Sequence, residues 1–217
     1  RQMREDSPAD GIIEGRNAVV EALRAGVNID KTFIMKGEPD ATLGQIASTA
    51  REAGIVVVDA DKRKLDSMSR THSHQGVIAL AAVREYVSVD EILAVARAKG
   101  ENPLIVVCDE LTDPQNLGAV IRTADAAGAH GVIIPKRRSA GLTAIVGKTS
   151  AGAVAHVPVA RVSNLTTTLK ELKDEGVWIF GTAAEGSIPM YKADLTVPAA
   201  IVIGSEGEGM SRLVQKN

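Results

Sequence analysis

The chain predicts an α/β fold: a domain built on a parallel sheet, preceded by a smaller α/β unit. Three observations lead there. Short β-branched apolar runs recur along the whole sequence, as in Ile55-Val56-Val57-Val58 and Ile201-Val202-Ile203. Amphipathic stretches of helical length separate them, and this alternation is the mark of parallel β-α-β units. Polar or glycine-rich segments follow two of the runs immediately, at the strand end where open α/β sheets bind ligands.

In order, residues 1–10 are polar and read as a flexible tail. A unit over residues 11–85 follows. Asn17–Ala25 is helical and stopped by Gly26, and Thr32–Met35 is a strand. Asp40 caps a helix to Ala53, with Gly54 as its left-handed stop. Ile55–Val58 is a strand, Asp61 caps a short helix to about Ser69, and Gly76–Val83 is a further strand. Residues 86–90 form a linker. Ser88-Val89-Asp90-Glu91 is a capping box that starts a helix ending at Gly100.

The second domain spans residues 91–217. Strand Leu104–Asp109 leads through a loop into helix Asn116–Ala127, with Asn116 a candidate cap. Strand Gly131–Ile134 leads to a basic loop and helix Thr143–Ala151. Strand His156–Ala160, a helix capped by Ser163, and strand Val177–Thr182 come next. Strand Ala199–Ile203 ends in a glycine-rich loop, and Met210–Gln215 begins a last helix.

Composition narrows the function classes. The 217 residues are 45% apolar and 24% charged, an ordinary globular balance. No apolar run reaches the roughly 18 residues of a membrane span. The single cysteine, Cys108, allows no internal disulfide, which suits a reducing cytoplasm. Net charge is −2, with 12 basic and 13 acidic residues up to residue 87 and 13 and 14 after it. Any nucleic-acid surface is therefore a local patch. Candidates are Lys62-Arg63-Lys64 with Arg70, and Lys136-Arg137-Arg138 at the end of a strand, where a phosphate contact is favoured. Aromatics are only 2%, few for a module that grips single strands by stacking.

Several motifs are weak. Gly147-Lys148-Thr149 ends like a phosphate-binding P-loop, but five residues separate Gly141 from Gly147 where that loop needs four. His72-Ser73-His74 lacks further metal ligands, and no metal is expected. Cys108 lies within an apolar strand and reads as core. Arg122 falls about 240° around the helix from Asn116, so spacing alone does not join them. Three glycines in Gly204-Ser205-Glu206-Gly207-Glu208-Gly209 favour a ligand loop, since glycine lets backbone approach closely.

The segments Asp113-Pro114-Gln115-Asn116-Leu117-Gly118-Ala119-Val120-Ile121-Arg122 and Ile201–Met210 together closely resemble the first two motifs of the SpoU (TrmH-like, SPOUT class) RNA ribose 2′-O-methyltransferases. Ile13–Val19 and His74-Gln75-Gly76-Val77 resemble the small L30e-like RNA-binding domain of some members. The layout is most similar to bacterial large-subunit rRNA guanosine 2′-O-methyltransferases. The resemblance implies a trefoil-knotted catalytic domain, a rare topology. It implies S-adenosylmethionine as cofactor, ribosomal RNA as partner and a cytoplasmic homodimer. It assigns catalytic roles to Asn116, Arg122 and Glu206. Cofactor binding falls to Gly181, Thr182, Ala183, Gly204, Glu206 and Gly207. RNA binding falls to Lys136, Arg137, Arg138, Arg70, His74 and Gln75. Family members carry a third motif that closes the cofactor pocket and helps form the dimer. The chain ends at Asn217 before it, so weak cofactor affinity and a loosened dimer are expected. A tRNA methyltransferase and a non-catalytic RNA-binding protein are the alternatives.

Overall fold

The computed structural model describes residues 11–37, 40–183 and 188–216. The chain forms two compact units. The first runs up to Glu85 and takes in Gly141–Ile145; the second comprises Tyr86–Ala140 and the chain from Val146 onward.

In the first unit the order is β1 (Ile12–Glu14), α1 (Arg16–Arg24), β2 (Ile29–Met35), α2 (Ala41–Glu52), β3 (Val56–Ala60), α3 (Lys62–Met68) and β4 (Val77–Ala81). The sheet order is β1-β4-β2-β3. This sheet is mixed: β4 runs antiparallel to both β1 and β2, and only β2 and β3 are parallel. The sequence predicts this unit as α/β without a strand direction. The three-residue β1 was too short to show as a strand. The expected caps hold, with Asp40 accepting from the Thr42 and Leu43 N–H groups and Asp61 from Lys64 N–H.

The second unit contains α4 (Val89–Lys99), β5 (Leu104–Cys108), α5 (Pro114–Ala126), β6 (Gly131–Pro135), β7 (Val159–Val162), α7 (Leu165–Asp174), β8 (Trp178–Gly181), β9 (Ala199–Ile203) and α8 (Arg212–Gln215). A short α6 spans Ala144–Thr149. The five strands are parallel in the order β7-β6-β5-β9-β8. From β5 the chain steps outward to β6 and β7, then returns on the far side as β8 and β9. The order therefore reverses between β5 and β9, and there the crevice for a ligand opens.

Alternation along the strands divides the core. Ile105, Val107, Ile133, Ala200 and Val202 face one side, where Ile92 and Leu93 of α4 and Leu165, Leu169 and Leu172 of α7 pack with Met210 and Val214. The Ser88–Glu91 capping box forms in both directions, and Gly100 ends α4 at φ 67°. Val87, within the expected linker, already donates to Val159.

Two caps differ from expectation. Asp113, not Asn116, caps α5, because Pro114 suits the first helical position. Asn164, not Ser163, caps α7 by accepting from Thr167 N–H. Strand β7 starts at Val159 rather than His156, because Ala153–Ala155 form a turn of 3₁₀ helix. Ile92 is fully buried at the centre of the second unit's core. Ile92→Ala is expected to cost about 2–5 kcal/mol, read as a lowered urea midpoint.

Candidate active site

The C-terminal edge of the second sheet carries the segments that hold the candidate catalytic and cofactor-binding residues. After β5 the chain turns into α5, where Asp113 accepts from Gln115 N–H at 2.8 Å. Asn116 sits in the first turn of that helix and is half-buried. Gly118 faces Thr149 so closely that a Cβ there would stand 1.9 Å from the Thr149 hydroxyl oxygen. This close approach lets α5 pack directly against the end of α6. Arg122 is nearly two turns further on, about 9 Å along the axis, and is exposed. Neither Asn116 nor Arg122 makes a side-chain hydrogen bond or ion pair among the described residues.

The loop after β9 is a tight hairpin. Ser205 N–H donates to Gly209 at 3.0 Å and Gly209 N–H returns the bond at 2.9 Å. Glu206, Gly207 and Glu208 form its exposed tip. A Cβ on Gly204 would lie 2.0 Å from the Gly209 carbonyl carbon, so glycine there is required by the loop's own closure. Beside it, β8 ends at Gly181, where a Cβ would come within 2.7 Å of Met210 Cε. Thr182 donates both its N–H and its hydroxyl to the Val202 carbonyl. A cleft of about 560 Å³ opens here, lined by Phe180, Gly181, Thr182, Ala183, Ile188 and Ile201 among others. Asn116, Glu206 and Gly204 thus follow the ends of two paired strands, β5 and β9. Asn116 and Glu206 do not hydrogen-bond to each other. Burial pushes the Cys108 thiol up to about 12, which removes it as a nucleophile.

The basic loop after β6 also reaches this edge. Lys136 N–H donates to Val162, while Arg137 and Arg138 are exposed. Arg138 pairs with Glu110 at 2.8 Å, and that hydrogen bond holds its guanidinium further toward the charged form. Both residues adopt left-handed backbone, at φ 54° and 55°, conformations uncommon for residues with a side chain. The sequence offered no sign of Glu110's part.

In the first unit Arg70, His74 and Gln75 lie on one loop after α3, while Lys62, Arg63 and Lys64 are exposed at the start of α3 itself. His72 and Gln75 are left-handed there, at φ 55° and 51°. His74 is 6% exposed. Its Nδ1 accepts from Gly76 N–H, so Nε2 carries the proton and donates to Asp66 at 3.0 Å. His74 therefore shapes the loop from beneath, while Arg70 and Gln75 are at the surface. Gln75 accepts from Arg16 N–H through its side chain and from Arg16 Nε through its backbone. Arg16 also pairs with Asp40. Glu14 anchors the other end, accepting from the Ser69 hydroxyl and Thr71 N–H. Among the described residues no cluster of three or more His, Cys, Asp or Glu could hold a metal.

Comparison with known proteins agrees with this fold. The profile of the SpoU rRNA Methylase family matches residues 103–217, and that of RNA 2′-O ribose methyltransferase substrate binding matches residues 12–87. A Bacillus subtilis protein named as a TrmH family tRNA/rRNA methyltransferase, YacO, is 45% identical over 93% of this chain and 81% of its own length. A Staphylococcus aureus protein of the same family name is 46% identical over 94% of this chain and 82% of its own. Two solved structures share the fold. AviRb from Streptomyces viridochromogenes, a SpoU methyltransferase in complex with AdoMet, has a TM-score of 0.56 at 21% identity, covering 96% of this chain and 78% of its own. An AdoMet-bound rRNA methyltransferase from Sinorhizobium meliloti has a TM-score of 0.54 at 23% identity, over 96% and 76%.

Glu14 makes the loop of the first unit sensitive to acid. Partial burial raises its pKa, but hydrogen bonds from Ser69, Thr71 and Arg70 outweigh burial and hold it below 4.5. A carboxyl depressed in the folded state stabilises above its unfolded pKa, and the effect is lost as pH falls through the folded one. Stability should therefore drop below pH 4.5, and Glu14→Gln should flatten that drop in urea midpoints taken across the range.

Proposed function

The chain belongs to the SpoU rRNA methylase family, and from that premise we propose that it methylates the ribose 2′-hydroxyl of a guanosine in large-subunit rRNA. The coarser activity, RNA methylation dependent on S-adenosylmethionine, follows from the family itself. The observation that carries the proposal is the pair of loops after β5 and β9, one holding Asn116 and the other Glu206, at the point where strand order reverses.

The residues fit the cofactor. Gly181, Thr182 and Ala183 at the end of β8 line an apolar cleft of about 560 Å³, and Gly204 begins the loop after the neighbouring strand β9. Gly181, Thr182, Ala183, Gly204, Glu206 and Gly207 would hold it. Bound there, S-adenosylmethionine supplies an activated methyl group on a sulfonium. A ribose hydroxyl is a weak nucleophile, so its alignment and the exit of its proton limit the rate. Arg122 stays protonated in almost any setting. Its exposed guanidinium binds the phosphate next to the target and orients the hydroxyl, while phosphate or solvent takes the proton. Glu206, at the loop tip, is assigned the part of holding Asn116 or the loop in place. Lys136, Arg137 and Arg138 bind phosphates along the same edge. The first unit supplies RNA affinity through Arg70 and Gln75, on a loop shaped by His74.

A cytoplasmic homodimer and a knotted catalytic domain complete the proposal, on the strength of the family resemblance. An apolar groove of about 360 Å³ supports the dimer; Val106, Val120, Ile201 and Ile203 line it between α5 and the sheet. Among the described residues no helix is long and apolar enough to cross a membrane. A tRNA substrate is the second reading, since relatives carry tRNA/rRNA in their names.

The test supplies methyl-labelled S-adenosylmethionine with either ribosomal or transfer RNA and resolves the products as nucleosides. Label in 2′-O-methylguanosine of large-subunit rRNA is expected. Label in tRNA would favour the second reading, and RNA binding without label a non-catalytic role. Arg122→Ala should lower turnover on the order of a hundredfold; near-normal turnover would remove its assigned part.

A further inference from the structure

Asp109 is nearly buried, at 5% exposure, directly after the last residue of β5. It grips the chain on both sides of the glycine-rich loop. Its N–H donates to the Ile203 carbonyl at 2.8 Å, just before the loop begins. Its Oδ2 accepts from Ser211 N–H at 2.7 Å, just after the loop ends. Between these two points lie Gly204–Met210, closed by the Ser205–Gly209 pair and pressed together at Gly204. The Met210 carbonyl accepts from Gln215 at 2.6 Å, and Met210 lies against Gly181.

The same residue leads directly to the other half of the site. Glu110 and Leu111 follow, then Asp113, which caps the helix carrying Asn116. Burying a carboxylate is costly unless it is well bonded. A hydrogen bond to an ionised acceptor is about twice as strong as a neutral one. An apolar residue would fill this position at less cost, but it would leave the Ser211 N–H without a partner and the loop's exit loose.

We propose that Asp109 is a positioning residue: it clamps the entry and exit of the β9 loop, and so holds the Glu206–Glu208 tip at a fixed place relative to α5. This role rests on the methyltransferase reading for its consequence but not for its geometry. It predicts that loosening the clamp weakens the cofactor side of the site and leaves RNA capture by the first unit intact.

The experiment compares the protein with Asp109→Asn, which keeps the shape, and Asp109→Ala. Amide hydrogen exchange is followed residue by residue without any ligand. About tenfold faster exchange at Gly209 and Ser211 is expected in Asp109→Ala, and a smaller rise in Asp109→Asn, whose amide oxygen can still accept from Ser211 N–H, with amides of β6 unchanged. In methyl transfer, the KM for S-adenosylmethionine should rise about tenfold while the KM for RNA stays within about twofold. A merely structural role would instead lower the melting temperature and shift both KM values together. Unchanged exchange at Gly209 and Ser211 in Asp109→Ala would overturn the proposal. A protein that shows the exchange pattern yet transfers no methyl group would refute the methyltransferase reading and leave the clamp standing.

Discussion

The parallel pairing of β5 with β9 is the constraint on which the second unit depends. Leu104 to Cys108 lie in register with Ala199 to Ile203, joining segments about ninety residues apart in sequence. Everything that makes the site follows from that ladder. It ends both strands at one level, so the segment carrying Asp113 and Asn116 and the loop carrying Glu206 emerge side by side. It places the reversal of strand order at this boundary, where helices on neither side close the crevice. It also lets one residue, Asp109, extend the ladder by its N–H and hold the far end of the loop by its carboxylate.

Close approach matters as much as charge at this edge. Gly118 against Thr149, Gly204 against Gly209 and Gly181 against Met210 are each places where one methyl group would collide. Interiors are packed too tightly to absorb such an addition without shifting a helix or a loop. The glycines of the β9 segment are thus partly required by the loop itself. That qualifies the simplest view of them as openings for a ligand: Gly204 serves closure, while Gly207 at the tip is open. The charged groups are arranged locally, in keeping with a chain whose net charge is only −2. Arg138 leans on Glu110, and Arg16 on Asp40.

Much of this was legible in the sequence, for reasons that differ by residue. The parallel sheet could be read because its strands are continuous apolar runs, as strands covered on both faces are. The α4 start could be read because a capping box is a local signal. The starts of α5 and α7 differ from expectation by one or two residues where two capping types compete, Asp113 with Asn116 and Ser163 with Asn164. Pro114 decides the first case. Sequence patterns fail where partners are distant. Glu14 holds a loop more than fifty positions away, and Asp109 reaches across about a hundred. His74 was an RNA-binding candidate from its motif. Only the structure reveals that one ring nitrogen bonds Gly76 within the loop and the other Asp66 on α3. Antiparallel β4 was hidden because periodicity reports a strand and not its direction.

The central claim is that the loops ending β8 and β9 form one cofactor site confined to the second unit. Mapping amide chemical shifts during titration with S-adenosylmethionine tests it most directly. Shifts concentrated at Thr182, Ala183 and Ser205–Met210, with residues 11–85 silent, are predicted. Shifts centred in the first unit, or a titration that moves none of these amides, would contradict it.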